Sequence, residues 1–182
     1  VLRDGYMEMR YKLQAALERT PEAIRTVNAA FAEAFGRDHG GMLWEYKTED
    51  AEVTLVGMGS LASEATAAAD LLRADGIRAG VVGVRAYRPF PKEDARGVFR
   101  KAKAIVVFEK SISYGYEGGL CSDLKAAFYG TDIQAPVHNY IAGLGGRDVK
   151  ARELAAAARD SLAGFGQGMR EPKTTWLNTF TG

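Results

Sequence analysis

The chain has 182 residues, 47% of them hydrophobic and 26% charged, and its 24 basic and 23 acidic side chains leave a formal charge of +1. That length suits one packed domain with additional structure, and the charge balance excludes a nucleic-acid phosphate track or an anionic membrane surface as the basis of function. No apolar run approaches the roughly 20 residues of a bilayer span, no signal-type apolar stretch opens the chain, and the lone Cys121 excludes an internal disulfide, a thiolate zinc site and a four-thiolate cluster held by this chain, usage expected of a reducing cytoplasm.

The sequence starts at Val1, as expected of a processed chain or a piece of a longer one. Met9, Leu13 and Leu17 recur at helical spacing and predict a helix over about 8–19. Thr20-Pro21 reads as a restart, with Thr20 as N-cap and Pro21 in the first turn of a second helix. Ile24, Val27, Phe31 and Phe35 form its stripe, and Gly36 closes it. Residues 1–42 are thus expected to form a helical arm or linker.

From Trp44 the period changes. WEYKT alternates like a half-exposed strand, and AEVTLVG is more continuously apolar. GSLASEATAAADLLRADG follows as a helix, with Ser60 as expected N-cap, Leu61, Ala65, Ala68 and Leu72 inward, and Asp75-Gly76 as its end. The cycle repeats through strand IRAGVVGVRAY, a short helix opened by Pro91, strand AIVVFEK, helix GGLCSDLKAAFY, strand APVHNYIAG and helix VKARELAAAARDSLAG. Apolar strands alternating with helices predict a three-layer α/β/α domain over about 43–164. Its sheet is expected to be mostly parallel and five-stranded, with WEYKT as an antiparallel edge strand. Residues 165–182 have no period, and Trp176 and Phe180 are expected to lie against a surface.

Ligands of open parallel sheets bind at the strands' carboxyl ends, where four segments arrive: 57–62, 84–91, 109–120 and 142–149. In the first, Gly57, Gly59 and Ala62 fit G-x-G-x-x-G/A, a dinucleotide-phosphate cradle, with Ser60 at the helix N-terminus. That fingerprint also asks for an acidic residue about 20 positions on, at the end of the second strand; here the strand ends in Arg85-Ala86-Tyr87-Arg88. A tight strand-to-helix turn accounts for the glycines without a nucleotide, and a stand-alone NAD(P)-binding domain stays as an alternative. Arg85 and Arg88 suit either a carboxylate or phosphate clamp or, preferably, a rim that meets a neighbouring domain or subunit.

The third segment sets Ser111, Ser113 and Gly115 before a helix, a composition fit for an anion-binding nest, with Tyr114 and Tyr116 interleaved. No G-x-x-x-x-G-K-[ST] occurs, which excludes a P-loop. Cys121 falls in the first helical turn, where a dipole lowers a thiol pKa, but no histidine adjoins it in sequence; a buried small residue is the preferred reading over a nucleophile. His138 reads as a core histidine with a hydrogen-bonded ring. Glu64, Asp148 and His39 are scattered, without metal or triad spacing, so no catalytic residue is assigned.

In order along the chain, MEMRYKLQAALE, FAEAFGR, VTLVGMGS, RAYRPFP, EKSISYGYEGGLCSDLKAA and NYIAGLGGRDV together resemble the C-terminal part of the α subunit of 2-oxoacid:ferredoxin oxidoreductases of the pyruvate synthase type. The resemblance runs to about Val149 and implies a transketolase C-terminal-like fold. It implies a complete enzyme that decarboxylates a 2-oxoacid with thiamine diphosphate and Mg²⁺, passes electrons through [4Fe–4S] clusters to ferredoxin, and gives the acyl group to coenzyme A. This chain has no G-D-G…N stretch for the diphosphate and a single cysteine. Its implied role is therefore structural, as a cofactor-free domain that packs against thiamine-binding and iron–sulfur subunits through Arg85, Arg88, Tyr114 and Tyr116. A docking domain of a transketolase or of a 2-oxoacid dehydrogenase E1β is the alternative with the same architecture.

Overall fold

The computed structural model describes residues 5–180; Val1 lies outside them. A first helix, α1 (Tyr6–Phe35), runs unbroken for 30 residues and carries Pro21 inside it. The expected restart at Thr20-Pro21 is not there. Thr20 Oγ donates to the Ala16 carbonyl at 3.2 Å, an intrahelical bond, and does not cap a new helix. Gly36, at φ 64°, ends α1 as expected.

The sheet then alternates with helices: β1 (Leu43–Tyr46), β2 (Val53–Met58), α2 (Ser60–Ala74), β3 (Ala79–Val84), α3 (Lys92–Phe99), β4 (Ala104–Glu109), α4 (Gly119–Phe128), β5 (Val137–Ile141), α5 (Ala151–Gly166) and β6 (Thr175–Trp176). The order across the sheet is β1-β3-β2-β4-β5-β6. β1 is the antiparallel edge strand, with Trp44 opposite Gly83, and the other neighbours pair in parallel. The sheet therefore has six strands where five are expected. The extra strand comes from the tail, whose Thr175 and Trp176 pair with Tyr140 and Ile141; two residues are too few to show a period.

Successive strand residues point to opposite faces, which splits the core in two. Leu55, Val81, Val106, Phe108 and Tyr140 pack with Leu61, Ala65, Ala68 and Leu72 of α2 and Leu154 and Ala158 of α5. Val56, Val82, Ile105 and Val107 pack on the other face with Phe99 of α3 and Leu120, Leu124 and Phe128 of α4. Chain connections leave β2 toward β3 on one side and return to β4 on the other, so the sheet's switch point lies between the carboxyl ends of β2 and β4.

Candidate functional site

At that switch point β2 ends in Gly57-Met58 and β4 in Glu109, followed by Lys110. Because of the strand's two-residue period, Glu109 and Lys110 go to opposite faces, one to each flanking helix N-terminus. Glu109 is 2% exposed. Its carboxylate accepts from the backbone N–H of Leu120 at 2.9 Å and of Cys121 at 3.2 Å, in the first turn of α4. It also accepts from Asn139 Nδ2 of β5 at 2.8 Å. Asn139 Oδ1 in turn accepts from Gly118 N–H at 2.9 Å. Burial pushes the Glu109 carboxyl up, and these three donors oppose the shift. Gly118 is required by contact and not by φ (−72°): a Cβ there would overlap the Glu109 carboxylate.

Lys110 goes the other way. Its Nζ donates to Ser60 Oγ at 3.0 Å across the start of α2. Ser60 is thus the first residue of α2 and not its cap; Gly59 holds the cap position, with no side-chain bond to the helix. A Cβ on Gly57 would stand 3.1 Å from Ala62 N and 3.4 Å from the Phe108 carbonyl oxygen, so this glycine lets α2 start hard against β2 and β4. At the next helix start toward the edge, Glu64 Oε1 of α2 accepts from Ala151 N–H of α5 at 2.7 Å.

The loop between β4 and α4 is tied at its base. Ser113 N–H donates to the Glu117 carbonyl at 3.0 Å and Tyr116 N–H to the Ser113 carbonyl at 2.9 Å, with Gly115 at φ 83° between them. The buried Glu117 carboxylate accepts from Lys125 Nζ at 2.5 Å and Ser122 Oγ at 3.1 Å. Burial works to lower the Lys125 ammonium, but the bond to Glu117 leaves it raised. Above this base Tyr114 is 89% and Tyr116 71% exposed. Ser111, Ser113 and Gly115 belong to the same turn; Ser60 and the two glycines of the first loop belong to the α2 start.

Arg88 Nη2 stands 2.8 Å from Asp123 Oδ2 of α4, and its guanidinium lies 4.0 Å from the centre of the Tyr87 ring. Arg85 Nη1 donates to the Gly40 carbonyl at 3.3 Å. Both arginines thus have partners within this chain. Cys121 is fully buried, and burial pushes its thiol pKa up despite the helix start, the opposite of the shift that activates a nucleophile. His138 sits in the core, its Nδ1 2.9 Å from Ser161 Oγ and its Nε2 3.0 Å from Thr175 Oγ.

Sequence reasoning missed Glu109, Asn139 and Glu117. The available signal was a polar residue inside or ending an apolar strand, AIVVFE and VHNYI, which must find buried partners. Among the described residues, no three His, Cys, Asp or Glu side chains stand close enough to share a metal ion. One buried cysteine does not fit a [4Fe–4S] cluster. No described helix is long and apolar enough to cross a membrane.

A family profile, pyruvate:ferredoxin oxidoreductase core domain II, matches residues 51–154. The ketoisovalerate oxidoreductase subunit VorA of Pyrococcus horikoshii is 38% identical over 173 residues, which are 95% of this chain and 44% of that protein. The pyruvate synthase subunit PorA of Methanosarcina barkeri is 36% identical over 159 residues, 87% of this chain and 40% of that protein. The chain therefore spans less than half the length of these relatives. Among solved structures, the 2-oxoglutarate:ferredoxin oxidoreductase of Magnetococcus marinus shares the fold with a TM-score of 0.54 at 19% identity, over 69% of this chain and 20% of that one. A split-gene transketolase does so with a TM-score of 0.51 at 24% identity, over 66% and 41%.

Proposed function

Because the chain belongs to the pyruvate:ferredoxin oxidoreductase core domain II family, we propose that it is part of the α subunit of a thiamine-diphosphate-dependent 2-oxoacid:ferredoxin oxidoreductase and serves there as an assembly domain. The complete enzyme would oxidatively decarboxylate a 2-oxoacid to an acyl-CoA and deliver electrons to ferredoxin. Its thiamine diphosphate, Mg²⁺, [4Fe–4S] clusters and coenzyme A would be held by other parts, since a single cysteine does not fit a cluster and, among the described residues, no donor set fits a shared metal. The relatives named for ketoisovalerate and pyruvate support a 2-oxoacid as the substrate class.

One observation carries the structural role. At the carboxyl edge of the sheet the polar groups Glu109, Lys110, Asn139 and Glu64 are each engaged in internal bonds, while two tyrosines on the tied loop face solvent. Large aromatic side chains held by a fixed backbone are the usual anchors of a protein interface. Arg85, Arg88, Tyr114 and Tyr116 would form the surface that meets the thiamine-binding and iron–sulfur subunits. A transketolase-type docking domain is the same role in a different enzyme, and the family assignment favours the ferredoxin-linked one.

The test is co-purification of the full-length subunit with its companion chains. Tyr114→Ala with Tyr116→Ala, and separately Arg88→Glu, should weaken association by roughly 30-fold, the effect of losing about 2 kcal/mol at a hot spot, and lower turnover in step. Assembly and turnover both unchanged in both variants would refute the assignment.

A further inference from the structure

Beyond α5 the chain is held on by polar contacts and little else. It leaves the helix through a left-handed turn at Gly168 (φ 91°) and then runs along β5. No residue from 162 to 180 is buried, and of residues 171–180 only Leu177 packs against the core, in part. β6 contributes two residues, paired with Tyr140 and Ile141. Thr174 Oγ donates to Asn139 Oδ1 at 3.4 Å, Leu177 N–H to the Ile141 carbonyl at 2.9 Å, and Arg147 to the Asn178 carbonyl. The Arg147 guanidinium also lies 4.2 Å from the centre of the Phe180 ring. A segment with so few buried apolar contacts opens at a lower cost than the fold that carries it.

One of its contacts titrates. The His138 ring stands between α5 and this segment, with Nδ1 2.9 Å from Ser161 Oγ and Nε2 3.0 Å from Thr175 Oγ. The Nδ1 side is fixed, because Ser161 is buried in α5 with Leu154, Ala155, Ala157 and Ala158 and also bonds the Ala157 carbonyl at 2.9 Å. The Nε2 side meets only the exposed segment. Burial, the largest influence on the ring, holds its pKa below 6.5. Asp160 of α5 and the Lys173 carbonyl favour the proton and Lys125 of α4 opposes it, without reversing that direction. Tyr140, whose ring centre is 4.3 Å away, is itself pushed up and stays neutral. A ring that binds its proton less tightly when covered favours the uncovered state, once protonated, by the same factor. Unpacking α5 would expose a buried apolar face, whereas lifting 171–180 exposes almost none, so the segment is what moves.

We propose that residues 171–180 are a strap closed over β5 and latched by His138, and that a proton taken up by the ring releases it. Release bares the hydrogen-bonding edge of β5 and frees the Arg147 guanidinium from Asn178 and Phe180.

The chain has two tryptophans, Trp44 in β1 and Trp176 in β6, so 5-fluorotryptophan NMR of the full chain reads the body and the strap separately. As pH falls from about 7.5 to about 5, the Trp176 signal should move with a midpoint below 6.5, in step with the His138 ring, while Trp44 and the helical circular dichroism hold. Over the same range trypsin cleavage after Lys173, measured against an unstructured peptide of that sequence, should speed up roughly tenfold. His138→Gln should abolish the movement of Trp176. Thr175→Val removes the strap's bond to the ring, so it should open the strap at neutral pH and bring the His138 midpoint up toward 6.5. A Trp176 signal that stays put down to pH 5, that moves only together with Trp44, or that moves unchanged in His138→Gln would overturn the proposal, as would a His138 midpoint indifferent to Thr175→Val.

Discussion

Replacing Gly118 by alanine should unseat the buried carboxylate that fixes the loop and α4 together. The backbone there is extended, φ −72° and ψ 150°, so alanine carries no conformational penalty. Its Cβ would instead overlap the Glu109 carboxylate. Glu109 has nowhere to go without giving up its bonds to Leu120, Cys121 and Asn139. Hydrogen bonds to a charged group contribute about 1.5–3 kcal/mol each, and a buried charge robbed of partners costs about 3–5 kcal/mol. Gly118→Ala is therefore expected to lose roughly 3–5 kcal/mol of the 5–15 kcal/mol typical of a folded chain. Glu109→Ala alone leaves three buried donors unpaired and should cost about 2–4 kcal/mol. The double variant has no carboxylate to collide with, so it should be about as stable as Glu109→Ala, a coupling equal to the Gly118→Ala cost of roughly 3–5 kcal/mol. Urea unfolding followed by helical circular dichroism measures all four corners of the cycle. Additive costs, or a Gly118→Ala midpoint equal to that of the parent, would refute the steric argument.

Two other glycines should respond in opposite directions: Gly83→Ala drives a Cβ into the Trp44 ring of the edge strand and should cost about 1–3 kcal/mol, whereas Gly97→Ala, inside α3 with nothing within 4 Å, should gain about 0.5–1 kcal/mol in the same assay. His138 carries the acid limb of stability. Burial holds its pKa below the ordinary 6.5, so the stability it supplies is present above 6.5 and is lost as pH falls through the lower folded value; urea midpoints taken against pH should drop there for the parent chain and stay flatter for His138→Gln.

Strands buried on both faces announce themselves as unbroken apolar runs, and β2, β3, β4 and β5 lie where the runs VTLV, VVGV, IVVF and VHNYI place them. The edge strand was legible for the opposite reason, since Glu45 in WEYKT marks a face that meets water. Pro21 misled because proline is as much at home in the first turn of a helix as it is disruptive inside one. Local sequence cannot tell those cases apart when, as here, the chain on both sides is helix-forming. β6 was hidden because its two residues are selected by what they meet: Thr175 reaches the His138 ring and Leu177 N–H donates to the Ile141 carbonyl at 2.9 Å. The glycines of GMGSLA were visible, but the close approach that requires Gly57 depends on the Phe108 carbonyl, about fifty residues later, and so has no local signal.

The buried Glu109 bears on how the chain can act. A switch point recruits ligands because helix N-termini leave N–H groups unsatisfied there. Here Glu109 supplies the anion for α4 from within, its carboxylate accepting from the N–H groups of Leu120 and Cys121. The start of α4, closed from within, thereby becomes a rigid base for the SISYGYEGG loop. Rigidity has a measurable use: each side chain already ordered before association avoids a cost of about 0.5–1.5 kcal/mol. A pair of tyrosines on a loop tied by Glu109, Asn139 and Glu117 can therefore hold a neighbouring subunit more tightly than the same tyrosines on a free loop. Loosening the base through Asn139→Ala should thus weaken assembly of the proposed enzyme even though Asn139, 2% exposed, touches no partner.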